Sequence, residues 1–219
     1  MASGTQERVE TDDSRPTVSL NQTEKSRPEA ALDELIAGNR RFTSGRTSSH
    51  RRDLALLQQM MEKPEPFAAV LSCADSRVPV EVVFDQTIGQ LFVTRVAGNM
   101  VTVEIMASLE YAAAVLGTHT ILVMGHSRCG AVTAAIQAAQ NAQAVPGQIS
   151  ALFPHLEPAV KQAGPDVDAT VRANVLLQVA RLRESPLLAG MIEGGKLLIA
   201  AGYFDLSSGA VTLLDQPQV

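Results

Sequence analysis

The chain has 219 residues, 46% of them hydrophobic, with no Trp and only 4% aromatic residues, so it holds enough apolar material for one sizeable core built from Ala, Val, Leu and Ile. Its formal net charge of −5 argues against a nucleic-acid binder, which would usually present a basic face. Two cysteines cannot build a disulfide scaffold, and no run of roughly 18 apolar residues or secretory leader is visible, so a soluble cytoplasmic enzyme in a reducing compartment is expected.

Residues 1–28 are polar and nearly free of large apolar side chains, and such a segment cannot offset its ordering entropy by burial. They are expected to form a disordered tail, with partner docking as the sharper alternative. From Glu29 the pattern changes. Ala31, Leu32, Leu35, Ile36 and Phe42 recur at helical spacing. Leu54, Leu56, Leu57, Met60 and Met61 predict a second helix that Pro64 and Pro66 end.

An alternation of strands and helices follows. Residues 67–72 read as a buried strand that stops at Cys73. Pro79 opens a short helix, and residues 90–96 form a second strand. A helix over 102–116 ends at Gly117, and residues 120–124 are a third strand running into Gly125 and His126. A helix over 130–140 precedes a Pro- and Gly-rich stretch, 145–166, expected to be a loop with a short helical turn. A helix over 168–184, capped by an Asp, leads to strands at 196–201 and 210–214 joined by a turn at Ser207, Ser208 and Gly209. This order predicts an α/β fold with a mainly parallel sheet, helices on both faces and an antiparallel edge strand.

In such sheets ligands bind beyond the carboxyl ends of the strands. There the chain carries Cys73-Ala74-Asp75-Ser76-Arg77 and His126-Ser127-Arg128-Cys129, which together contain both cysteines and one of four histidines. Two thiolates and one imidazole suit tetrahedral zinc, with the fourth position free or taken by a carboxylate such as Asp75. A helix N-terminus also favours the Cys129 thiolate. The blander alternative is a pair of free core cysteines beside an ordinary loop histidine.

The segments CADSRVPVE and GHSRCGAV resemble the two signature segments of the β-class carbonic anhydrases. The similarity extends through GNRRF near residue 38, FVTRVAGNMV and SLEYA, over roughly residues 30–215. The resemblance implies a four-stranded parallel sheet with an antiparallel edge strand in a domain spanning 29–219, of which 29–62 is a helical dimerisation arm. It implies a homodimer or tetramer with the site in an apolar channel at the interface. It implies Zn2+ held by Cys73, His126 and Cys129, and hydration of CO2 to bicarbonate and a proton through zinc-bound hydroxide. Asp75 and Arg77 would be the catalytic dyad, with Asp75 a fourth ligand in a closed form. Gly130 would offer its N–H to substrate, a helix-packing glycine being the alternative.

Some members of that family carry an inhibitory bicarbonate site built from a Trp, an Arg and a Tyr. Here those positions hold Val70, Arg95 and either Tyr203 or Phe204, so the site is expected to be incomplete and the zinc site open. Gln58 and Gln59 lie too far upstream for the role that a glutamine plays in many relatives. His50 is expected to be solvated, His119 to serve a turn, and His155 to lie in a loop. Met60, Met61 and Met106 are expected to fill core or interface. Alternative functions are hydrolysis of carbonyl sulfide or carbon disulfide, and a non-catalytic zinc-binding scaffold.

Overall fold

The computed structural model describes residues 27–48, 53–62, 64–141 and 145–215. The tail expected over 1–28 falls almost wholly outside the described residues, as does His50. Among the described residues five strands form one sheet: β1 (Ala68–Ser72), β2 (Leu91–Arg95), β3 (Thr120–His126), β4 (Leu198–Phe204) and β5 (Val211–Leu213). Their order is β2-β1-β3-β4-β5. The first four run parallel and β5 pairs antiparallel with β4, as expected.

Among the described residues eight helices surround the sheet: α1 (Pro28–Thr43), α2 (Leu54–Gln59), α3 (Val80–Val83), α4 (Val103–Ala114), α5 (Gly130–Asn141), α6 (Phe153–Ala163), α7 (Val167–Arg183) and α8 (Pro186–Glu193). Strand alternation divides the core. Ala69, Leu71, Ile121, Val123 and Ile199 face one side, against Leu109 of α4, Val175 and Val179 of α7, and Leu188 of α8. Val70, Leu122, Met124 and Ala200 face the other, against Leu35 of α1 and Val83 of α3. Gly125 lets α7 approach the end of β3, because a Cβ there would lie 2.6 Å from Val171 and 2.7 Å from Val175.

Three stretches differ from the sequence reading. Residues 145–166 are not mainly loop: a 3-10 turn at Ile149–Leu152 leads into α6, which puts His155 on a helix. Pro154 fits the first turn of α6, and Pro158 is tolerated inside it because Leu156 and Ala159 are buried; tertiary packing outweighs the local breaker signal. Strand β4 runs three residues past the expected end at 201, because Gly202, Tyr203 and Phe204 pair with Met124, Gly125 and His126. Helix α8 has no counterpart in the sequence reading. Gly190, Gly194 and Gly195 dilute its pattern, yet Pro at its first turn and the Ser185 hydroxyl accepting the Leu188 N–H define its start. The Asp cap of α7 is Asp166, which accepts the Ala169 N–H at 2.8 Å. Among the described residues no helix is long and apolar enough to cross a membrane.

Candidate metal centre

Strands β1 and β3 are neighbours in parallel register, with Ser72 opposite Met124, so their carboxyl ends deliver Cys73 and His126 to one edge of the sheet. A tight turn follows β3. Arg128 adopts φ +55°, a left-handed conformation that disfavours a side chain, and the chain reverses to place Cys129 ahead of α5. The turn is tied down by the Ser127 N–H donating to the Phe204 carbonyl and by the Leu206 N–H donating to the Ser127 hydroxyl, both at 2.9 Å.

The ligand atoms of Cys73, His126 and Cys129 lie within 4.8 Å of one another, and all three residues are buried. The His126 Nδ1 lies 2.9 Å from the Ser127 carbonyl oxygen. A carbonyl only accepts, so the ring proton sits on Nδ1 and the Nε2 lone pair faces the cysteines. That Nε2 is buried without a hydrogen-bond partner among the described residues. An orphaned imidazole nitrogen beside two sulfurs is the donor set that tetrahedral zinc requires, and the residues fit the metal.

The two sulfurs are 3.9 Å apart, close enough for either thiol to donate to the other. The hydrogen bond from Cys129 lowers the Cys73 pKa, against burial, with help from the backbone N–H groups of Gly98 and Asp75. The Cys129 thiol is held well above its ordinary range by the same pairing and by burial.

Asp75 lies beside this set, its Oδ2 3.9 Å from His126 Nε2. Both of its oxygens are taken by Arg77: Nε donates to Oδ1 at 2.9 Å, Nη2 to Oδ2 at 2.7 Å, and the Arg77 backbone N–H to Oδ1 at 2.9 Å. That grip holds the Asp75 carboxyl below the usual carboxylate range and raises the Arg77 guanidinium above its own. A cavity of about 610 Å³ opens beside Arg77, Ser127 and Arg128. Gly130 opens α5 and is exposed; a Cβ there would meet nothing within 4 Å, which removes helix packing as the reason for a glycine.

Arg95 has a role that the sequence did not suggest. Its Nε donates to the Cys73 carbonyl at 3.0 Å and its Nη2 to the Asp75 carbonyl at 2.6 Å, clamping the loop that carries both residues. Val70 and Phe204 pack in one apolar cluster, whereas Tyr203 points to the opposite face, under the Arg172 guanidinium 3.8 Å from its ring centroid. Burial and the neighbouring Asp168 push the Tyr203 hydroxyl up to about 12. Gly98, two residues beyond the second predicted strand, donates its N–H to the Cys73 sulfur at 3.4 Å. Gln58 and Gln59 are exposed on α2, His119 lies just ahead of β3, and Met106 packs against the core.

The family model described as carbonic anhydrase matches residues 68–211. Carbonic anhydrase 2 of Mycobacterium tuberculosis is 35% identical over 199 residues, covering 86% of this chain and 93% of that protein. A carbonic anhydrase of Pseudomonas aeruginosa is 35% identical over 178 residues, covering 73% of this chain and 78% of that one. Among solved structures, the β-carbonic anhydrase CcaA superposes with a TM-score of 0.68 at 27% identity, covering 84% of this chain and 95% of that one.

Proposed function

The chain belongs to the β-class carbonic anhydrase family, and from that premise we propose that it catalyses the reversible hydration of CO2 to bicarbonate and a proton at a zinc ion. The observation that carries this reading is a buried Cys73–His126–Cys129 donor set beside a carboxylate that an arginine engages. Those three side chains would hold the zinc. When bound, zinc lowers the pKa of a water molecule so that hydroxide is available near neutrality. The donor set carries two thiolates, which give more negative charge than imidazoles, so activity rises toward alkaline pH.

Asp75 acts as an acceptor-only group. Held on Arg77, it accepts the O–H of the attacking oxygen and turns a lone pair toward CO2. Arg77 keeps the carboxylate ionised and off the metal, which supports an open site. The Gly130 N–H is free to approach a substrate oxygen because no side chain stands over it. The second bicarbonate site is absent: the chain has no Trp, Val70 and Phe204 fill two of its positions with apolar carbon, and Arg95 is committed to the Cys73 and Asp75 carbonyls.

The working form is a homodimer or a larger even assembly. Leu54 and Met61 of the α2 region are 67% and 75% exposed, and Val103, Tyr111 and Val115 line an exposed stripe of α4 and its end, surfaces that a second copy would cover. Thiolate ligands suit a reducing cytoplasm. The test is Asp75→Asn on zinc-quantified protein. Zinc content and fold are retained, and kcat/KM falls by about 10²-fold or more. Loss of zinc, in a protein that had no turnover to lose, would instead make the site structural.

A further inference from the structure

We infer that Asn174 and Gln178 are positioning residues for the metal centre, acting on Cys73 through the turn at residues 98–101. They lie one helical turn apart on α7, and both side chains are buried. Asn174 Nδ2 donates to the Gly98 carbonyl at 2.9 Å. Gln178 Oε1 accepts the Val101 N–H at 2.8 Å, and Gln178 Nε2 donates to Asn174 Oδ1 at 3.0 Å. The two amides thus grip both ends of one turn and brace each other.

That turn needs bracing. Gly98 has φ +79°, and a Cβ there would come within 3.1 Å of Leu156, so the backbone is threaded through a narrow gap. Its N–H is the group that reaches the Cys73 sulfur. Burying two primary amides beside Val175 and Val179 is costly unless they are hydrogen-bonded, and their bonds run to this turn and to each other. An N–H on a ligating thiolate withdraws charge from the sulfur and fixes its direction. Outer partners of this kind tune the metal as strongly as they orient the ligand. The relay therefore offsets part of the excess charge that two thiolates bring.

The inference rests on the metal-site reading but not on the substrate, so its test reads the metal. Asn174→Leu and Gln178→Met are loaded with cobalt(II), and the thiolate-to-cobalt absorption and the affinity against a chelator are measured. Val179→Ala, which loosens the same helix without touching the turn, is the control. Asn174→Leu is expected to shift the absorption and weaken metal binding about 10- to 100-fold, Gln178→Met to do so less, and Val179→Ala to leave both unchanged. If Asn174→Leu does not fold, Gln178→Met decides, since it releases the Val101 end and leaves the Asn174–Gly98 bond. Wild-type spectra and affinity in the folded variants, or an equal shift in Val179→Ala, would overturn the assignment. A cobalt shift in a protein without CO2 hydration would refute the enzymatic reading and leave this one standing.

Discussion

Replacing Arg95 by Met separates two roles for that arginine. Met keeps an apolar stem and removes the guanidinium, so the bonds to the Cys73 and Asp75 carbonyls vanish together. A hydrogen bond from a charged donor contributes about 1.5–3 kcal/mol when buried. Arg95 is exposed at the sheet edge, so water replaces much of each bond and each falls below that range to about 1 kcal/mol, about 2 kcal/mol for the pair. For a chain of this length that is a fall in melting temperature of about 4–8 °C. The freed loop carries one metal ligand and the dyad carboxylate, so zinc affinity should drop about tenfold. Calorimetry on zinc-loaded protein and competition with a chelator read both quantities. If Arg95→Met keeps its melting temperature and zinc affinity but loses inhibition by bicarbonate, Arg95 is part of an anion site and the clamp is incidental.

Zinc binding should release protons from the cysteine pair, because both sulfurs must bind as thiolates; calorimetric titration in buffers of different ionisation heat detects the release, and binding with no proton release and no pH dependence would contradict ligation by Cys73 and Cys129. Asp75 has a folded pKa below its unfolded one, so its contribution to stability is complete above about pH 5 and is lost as pH falls through the folded value. Urea midpoints of metal-free wild type and Asp75→Asn should therefore differ at pH 7 and converge in strong acid; a gap that widens on acidification would reverse the sign. Gly130→Ala should fold with nearly unchanged stability, because its Cβ meets no atom of the chain, and should lose about tenfold in kcat/KM by crowding the substrate. Full activity in that variant would move the substrate away from Gly130.

The sheet and its ligand edge were legible because each rests on local signals. Apolar runs stop at Cys73 and His126, and parallel pairing carries both ends to the same edge. What sequence did not disclose depends on contacts between distant segments. Arg95 sits at the end of β2, and only the β1–β2 register shows that its guanidinium reaches back to Cys73 and Asp75. Asn174 and Gln178 look like ordinary polar positions in a helix until the fold sets them against Gly98 and Val101. The GNRRF segment gained a reason in the same way. Asn39 donates to the Val83 and Gly209 carbonyls and accepts the Val211 N–H, stapling α1 to the β4–β5 hairpin. Helix α6 was hidden by its own prolines, and its existence depends on burying Leu156 and Ala159 against α5 and α7.

The decisive measurement is stopped-flow CO2 hydration on protein carrying one zinc per chain, from about pH 6.5 to 9. Turnover present near neutrality and rising with pH is the expected result, since the Arg77-held Asp75 leaves the metal open. Full zinc with no hydration at any pH would contradict the carbonic anhydrase reading.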